Sequence, residues 1–135
     1  MATFNKFNAF VEALAEKVHN LGSDQLAVAL TAVAPSATNS VLADLTQISY
    51  ANLSSRNIVT TSSAQTSGTY KLTLQDLTLT ATGTVAAFRY VAIFNDTTAS
   101  KNLIGWYDYG SNVTLNSGET FTIDFDSSNG ALTIA

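Results

Sequence analysis

Cysteine is absent from the 135 residues, and proline (Pro35), histidine (His19) and tryptophan (Trp106) occur once each. Without cysteine there is no disulfide framework, no thiolate zinc site and no thiol nucleophile, so burial and sheet hydrogen bonds must hold the fold. Charge is scarce too. Lys, Arg, Asp and Glu make up 12% of the chain, against a usual share of about 25%. Six basic and ten acidic residues leave a formal charge of −4. That balance offers no basic field to phosphate backbones or anionic lipid, so neither nucleic acid nor a membrane surface is an expected partner. The most apolar run, Leu26 to Ala34, is far short of the roughly 18–20 residues that span a bilayer. The opening Met1-Ala2-Thr3-Phe4-Asn5 lacks a basic region ahead of an apolar one, so synthesis in the cytoplasm without an export signal is expected.

What remains is 46% hydrophobic residues beneath a surface that must be largely Ser, Thr, Asn and Gln. The length suits a single domain, residues 1–135. Phe4, Phe7, Val11, Leu14, Val18 and Leu21 recur at steps of three and four, which predicts an amphipathic helix over residues 4–21 with Gly22 as its C-terminal stop. Thr3 is available as a cap, but Lys6 stands where a capping box needs Glu or Gln. Alternation then replaces the helical period: Leu26, Val28 and Leu30 face one way and small residues the other, giving a first strand over 25–34 that Pro35 closes.

Residues 36–57 are rich in Ser, Asn and Ala and read as a partly ordered connection, with Val41, Leu42, Leu45 and Ile48 hinting at a short helical turn. Over 58–135 short alternating runs follow one another at intervals of about ten residues, the pattern of an antiparallel sandwich. They are Tyr70/Leu72/Leu74, Leu77/Leu79/Ala81, Phe88 to Phe94, Leu103 to Tyr109, Phe121/Ile123/Phe125 and Leu132/Ile134. Breaks are expected at Ser67-Gly68, Thr82-Gly83, Asn95-Asp96, Gly110-Ser111-Asn112, Asn116-Ser117-Gly118 and Asn129-Gly130, where Gly and Asn tolerate positive φ. The expected fold class is mainly β, an antiparallel, jelly-roll-like β-sandwich with an N-terminal amphipathic α-helix.

Chemistry is hard to find. His19 has no second His and no Cys beside it, so it cannot complete a common zinc set, and its neighbours suggest an ordinary half-exposed position near a helix end. No Gly-x-Ser-x-Gly elbow is present. Asp96, Asp108, Asp124 and Asp126 offer oxygen ligands or an acid–base pair in principle. However, Asp124 and Asp126 share the face opposite Phe121, Ile123 and Phe125, the solvated side of a strand. The residues 124–129 also lack the ligand order of an EF-hand. No catalytic residue, metal or cofactor is expected.

The candidate interface residues are all apolar or aromatic. Trp106, Tyr107 and Tyr109 cluster around Ile104-Gly105, a group suited to sugar stacking or a protein interface; strand alternation buries either Trp106 or the tyrosine pair. The stripe of Phe4, Phe7, Val11, Leu14, Val18 and Leu21 either covers the chain's own sheet or pairs with copies of itself. Covering the sheet fits better, because three heptads make a marginal coiled coil.

The chain resembles a family of small structural proteins encoded in tailed-bacteriophage genomes. The likeness is carried by Ala2-Thr3-Phe4-Asn5-Lys6-Phe7 through Val18-His19-Asn20-Leu21-Gly22, by Phe88-Arg89-Tyr90, and by Leu103-Ile104-Gly105-Trp106-Tyr107-Asp108-Tyr109-Gly110. It continues in Gly118-Glu119-Thr120-Phe121 through Asp124-Phe125-Asp126 and in Gly130-Ala131-Leu132-Thr133-Ile134-Ala135. Nearly the full length is covered; the stretch from about Ser49 to Gln65 matches least, being shorter and less glycine-rich. The resemblance implies a non-enzymatic capsid decoration (cement) protein of the virion surface, a homotrimer whose partner is the major capsid protein lattice. A tail or fibre component that joins virion parts or recognises a host surface is the alternative.

Overall fold

Long β-branched and aromatic runs need partners on both sides, and two of them supply the centre of the molecule. The structure, a computed structural model, describes residues 2–135. Strand β6 (Val85–Asn95) pairs antiparallel with β7 (Leu103–Leu115), with Val91 opposite Tyr107 and Ala92 opposite Trp106. β2 (Leu26–Thr31) joins the far side of β6, and β1 (Phe4–Lys6) joins the far side of β7, giving the order β1-β7-β6-β2. Two smaller antiparallel sheets lie against it: β3 (Thr60–Thr66), β4 (Thr69–Leu74) and β9 (Leu132–Ile134) in the order β3-β4-β9, and β5 (Leu77–Thr80) with β8 (Thr120–Ile123). The protein is mainly β, an antiparallel, sandwich-like arrangement with one short helix.

The main core fills the space between these sheets. Leu30, Phe88 and Ile93 of the large sheet meet Leu72, Leu74, Leu79, Ile123 and Phe125 of the small ones, all at 1% exposure or less. Each such side chain contributes about 1.5–3 kcal/mol by leaving water. The opposite face of the large sheet carries a second cluster, in which Phe7, Phe94 and Leu103 pack with Ala27, Ala29 and Ala92 under Leu42, Leu45 and Trp106. Both faces of β2 are therefore buried, as its burial along the whole strand records.

The N-terminal segment departs from the periodicity. The helix α1 covers only Asn8–Ala15, and residues 4–6 form a strand. A step of three from Phe4 to Phe7 fits a helix and equally an extended segment that turns into one; pairing with β7 decides for the strand, placing Phe4 opposite Tyr107. Phe7 is the N-cap residue and supplies no side-chain bond. The Asn8 amide instead donates to the Ala37 carbonyl at 2.9 Å.

At the other end, Lys17 takes φ +68, Val18 N–H donates to Ala13 O and Lys17 N–H to Leu14 O. This is a Schellman stop with lysine in the left-handed position, five residues ahead of the expected Gly22. The apolar face consequently runs through Phe7, Phe10 and Leu14, while Val11 and Val18 are 51% and 40% exposed.

Elsewhere one expected break is overrun, and two other segments take a more definite course than the sequence reading gave them. β7 continues through the expected break at 110–112, because Gly110 (φ +83) lets residues 109–112 bulge opposite Arg89 alone while pairing resumes at Phe88 and Val113. The turn at Asn129-Gly130 carries the chain from one small sheet to the other, not around a hairpin, since β8 pairs with β5 and β9 with β4.

Residues 36–57 contain a 3₁₀ turn at Leu42–Asp44, and the chain beyond it lines the outer edge of β2. Ile48 N–H donates to Leu30 O, Ile58 N–H to Leu26 O, and Val28 N–H to Arg56 O. The Tyr50 hydroxyl accepts from Leu30 N–H at 2.9 Å. An edge strand that would otherwise present free backbone groups is thereby closed.

A candidate interface groove

Two of the sheet edges lie open beside each other. β1 has only β7 as neighbour and β9 only β4, and α1 lies between them. Together they enclose an open groove of about 660 Å³, walled by Phe4, Phe10, Val11, Leu14, Leu132 and Ile134, with Lys6 the one charged side chain among the described residues that line it. Phe10 is buried at its floor, whereas Val11 and Ile134 stand at the rim, 51% and 44% exposed.

Two glycines set its shape. A Cβ on Gly105 would lie 2.2 Å from Phe4 Cζ and 2.7 Å from the Asn5 carbonyl, so only glycine lets the Phe4 ring lie flat on β7. Gly130 takes φ +87 against Lys71 and Leu72, which turns the chain sharply enough for β9 to form the second wall. A smaller depression of about 400 Å³ continues past Leu14 and Ile134 to Lys17, His19, Leu21, Ser63 and Tyr70.

The candidate interface residues divide by burial. Phe7, Leu21 and Tyr107 are at most 5% exposed and belong to the chain's own core. Phe4 and Leu14 line the groove, and Val11 and Val18 are exposed. Trp106 and Tyr109 are half-buried. The Trp106 ring lies 4.6 Å from Phe7 in the second cluster, and Tyr109 packs edge-on against Phe121 at 5.1 Å. Burial, with the Asp124 and Asp76 carboxylates nearby, pushes the Tyr109 hydroxyl up to about 12; burial raises Tyr107 as well, reinforced by Tyr109 and Asp124. Phe10, Leu132 and Ile134 complete the groove. Phe10 is missed by the stripe from Phe4 to Leu21 although it too is three residues from Phe7, and Leu132 and Ile134 join only through the fold.

His19 is buried at 5% exposure, not half-exposed. Its Nδ1 lies 3.0 Å from Asn95 Nδ2, which also donates to Asp24 Oδ2 at 2.7 Å. Among the described residues its Nε2 is buried without a partner. Burial lowers its pKa, against the opposing pull of Asp24.

The acidic side chains are engaged separately. Asp108 receives Arg89 Nε at 2.7 Å and Asp96 receives Lys101 Nζ at 2.7 Å. Asp126 accepts from Asn129 Nδ2 at 2.9 Å. Arg89 holds the Asp108 carboxyl below its usual range, and Asn129 does the same for Asp126. Among the described residues no three of His, Asp and Glu converge as metal ligands, and no helix is long and apolar enough to cross a membrane. Compared with known proteins, the chain matches no family model, no curated protein and no solved structure.

Proposed function

We propose that this is a non-enzymatic structural protein of a tailed-phage virion, a decoration or cement protein that binds the assembled head. The phage setting rests on the sequence resemblance. The observation that carries a binding role is the groove: exposed Val11 and Ile134 flank an apolar trough between two open strand edges, on a body whose opposite edge, β2, is closed by its own chain. Apolar surface of this kind is what a partner surface covers. Two side chains with acid–base chemistry are meanwhile held by neighbours, His19 by Asn95 and Asp108 by Arg89. Each copy, as one of a trimer, bridges neighbouring capsid subunits, and lattice symmetry multiplies weak contacts. The fibre alternative would draw on an exposed tip of Trp106 and Tyr107, but Tyr107 is 3% exposed and Trp106 packs against Phe7.

The test is co-sedimentation of purified protein with undecorated mature heads of the encoding phage, with isolated capsid monomers, tails and host cells as competing targets. Binding to heads alone is expected. With so little charge at the groove, occupancy should change only modestly from about 0.05 to 0.5 M salt, although the Debye length falls below about 5 Å. Binding to tails or cells and never to heads overturns the reading.

A further inference from the structure

We propose that His19, Asn95 and Asp24 form a proton-operated latch, which holds the turn between α1 and β2 against the end of β6 while His19 is neutral and releases it when the imidazole is protonated. The hydrogen-bond directions are fixed from outside the histidine. Thr97 N–H donates to Asn95 Oδ1 at 3.0 Å, which sets the amide so that Nδ2 faces inward. The two Nδ2 hydrogens then go to His19 Nδ1 at 3.0 Å and Asp24 Oδ2 at 2.7 Å. His19 Nδ1 must therefore be the acceptor, and the ring proton sits on Nε2, which is buried with no partner among the described residues. The ring leans on Phe10, centroids 5.3 Å apart.

Adding a proton at Nδ1 sets one donor against another. Turning the Asn95 amide over relieves that contact only by taking the acceptor from Thr97 N–H and pointing Oδ1 at the Asp24 carboxylate. Swinging the ring outward gives up Phe10 and carries the turn with it. Asp24 attracts the cation, but its Oδ2 already accepts from Asn95 and from Asn20 N–H at 2.8 Å, and burial outweighs it in lowering the histidine's pKa. The other groups that reach this site are few. Lys17 shares the depression, as does the Tyr70 hydroxyl, which is bonded to Ser63. Asp96, next to Asn95, is paired with Lys101. From α1 come Phe10 and Leu14.

Because the folded state takes up its proton at lower pH than the unfolded chain, the stabilisation is complete above the ordinary value of 6.5 and is lost as pH falls toward the depressed folded value. Opening would reshape the depression next to Leu14, so acidity is read at the wall shared with the groove.

Nitrogen-15 NMR of the wild-type protein should show at pH 7.5 a protonated Nε2 and a bare Nδ1, with titration below 6.5. As His19 titrates, amide-exchange protection at Asn20 and Thr97, corrected for intrinsic rates, should fall about tenfold or more. In His19→Phe that fall should vanish. A proton on Nδ1, titration at or above 6.5, protection unchanged through the titration, or the same fall in His19→Phe overturns the proposal. The wild-type measurements decide it alone where the variant does not fold.

Discussion

The guanidinium of Arg56 lies 3.6 Å over the ring of Tyr50, and from that position Nη1 donates to the Val28 carbonyl at 2.6 Å. The two side chains form one clamp over the edge of β2, since the Tyr50 hydroxyl accepts from Leu30 N–H two residues along. A charged donor on a buried carbonyl contributes about 1.5–3 kcal/mol, and the cation–π contact roughly 0.5–1 kcal/mol more.

Arg56→Ala should therefore lower unfolding free energy by about 2 kcal/mol or more. Tyr50→Phe, which leaves Leu30 N–H unpaired, should cost about 1–3 kcal/mol. Denaturant midpoints measure both. Light scattering should show Arg56→Ala self-associating through the uncovered edge; unchanged stability in both variants would mean the edge is held by the backbone bonds alone.

Phe10 and Val11 are neighbours with opposite roles. Phe10→Ala should cost about 3–5 kcal/mol, through lost transfer energy and a cavity at the groove floor. Val11→Asp should move stability by no more than about 0.5 kcal/mol while abolishing co-sedimentation with heads. If Val11→Asp binds as well as the parent, the groove is not the docking surface.

The fit of Phe4 onto Gly105 makes a third case. Gly105→Ala would place a methyl carbon 2.2 Å from Phe4 Cζ and against the Asn5 carbonyl, and backbone cannot yield as a flexible side chain can. A loss of about 1–3 kcal/mol is expected, together with faster amide exchange in β1. Exchange confined to its parent rate would show that β1 tolerates the displacement.

Lys17, not Gly22, occupies the left-handed stop of α1. Lys17→Gly should raise stability by about 0.5–1 kcal/mol by removing the Cβ strain of that conformation. Gly22→Ala should be nearly neutral, because the added carbon meets nothing closer than 3.5 Å. Thermal melts of the pair decide between the two positions.

The difference at Lys17 shows what the sequence does and does not carry. Strands with one buried and one wet face, such as β4 with Leu72 and Leu74, write alternation into the chain and are legible. β3 is not: Thr60–Thr66 is exposed along nearly all its length and is a strand only because Gln65 pairs with Tyr70 and Ala64 with Lys71. β1 is illegible for a related reason, since its partner lies about a hundred residues away. The groove was half visible, with Phe4, Val11 and Leu14 marked by periodicity and Leu132 and Ile134 brought to them by the Gly130 turn. Burial of His19 depends on Asn95, a contact that no local pattern encodes.

That distant pairing also bears on how the molecule is made. Asn5 Nδ2 reaches the Trp106 carbonyl at 3.4 Å across 101 positions, so β1 leaves the ribosome well ahead of the strand it pairs with. At roughly 5–20 residues per second, Phe4, Phe7 and Phe10 spend several seconds without the β7 surface that later receives Phe4 and Phe7. Closure of such long-range contacts is slow, and a nascent chain halted before Leu103 has no seat for its N-terminal aromatics. The same three rings are then exposed to whatever chaperone or neighbouring chain meets them first.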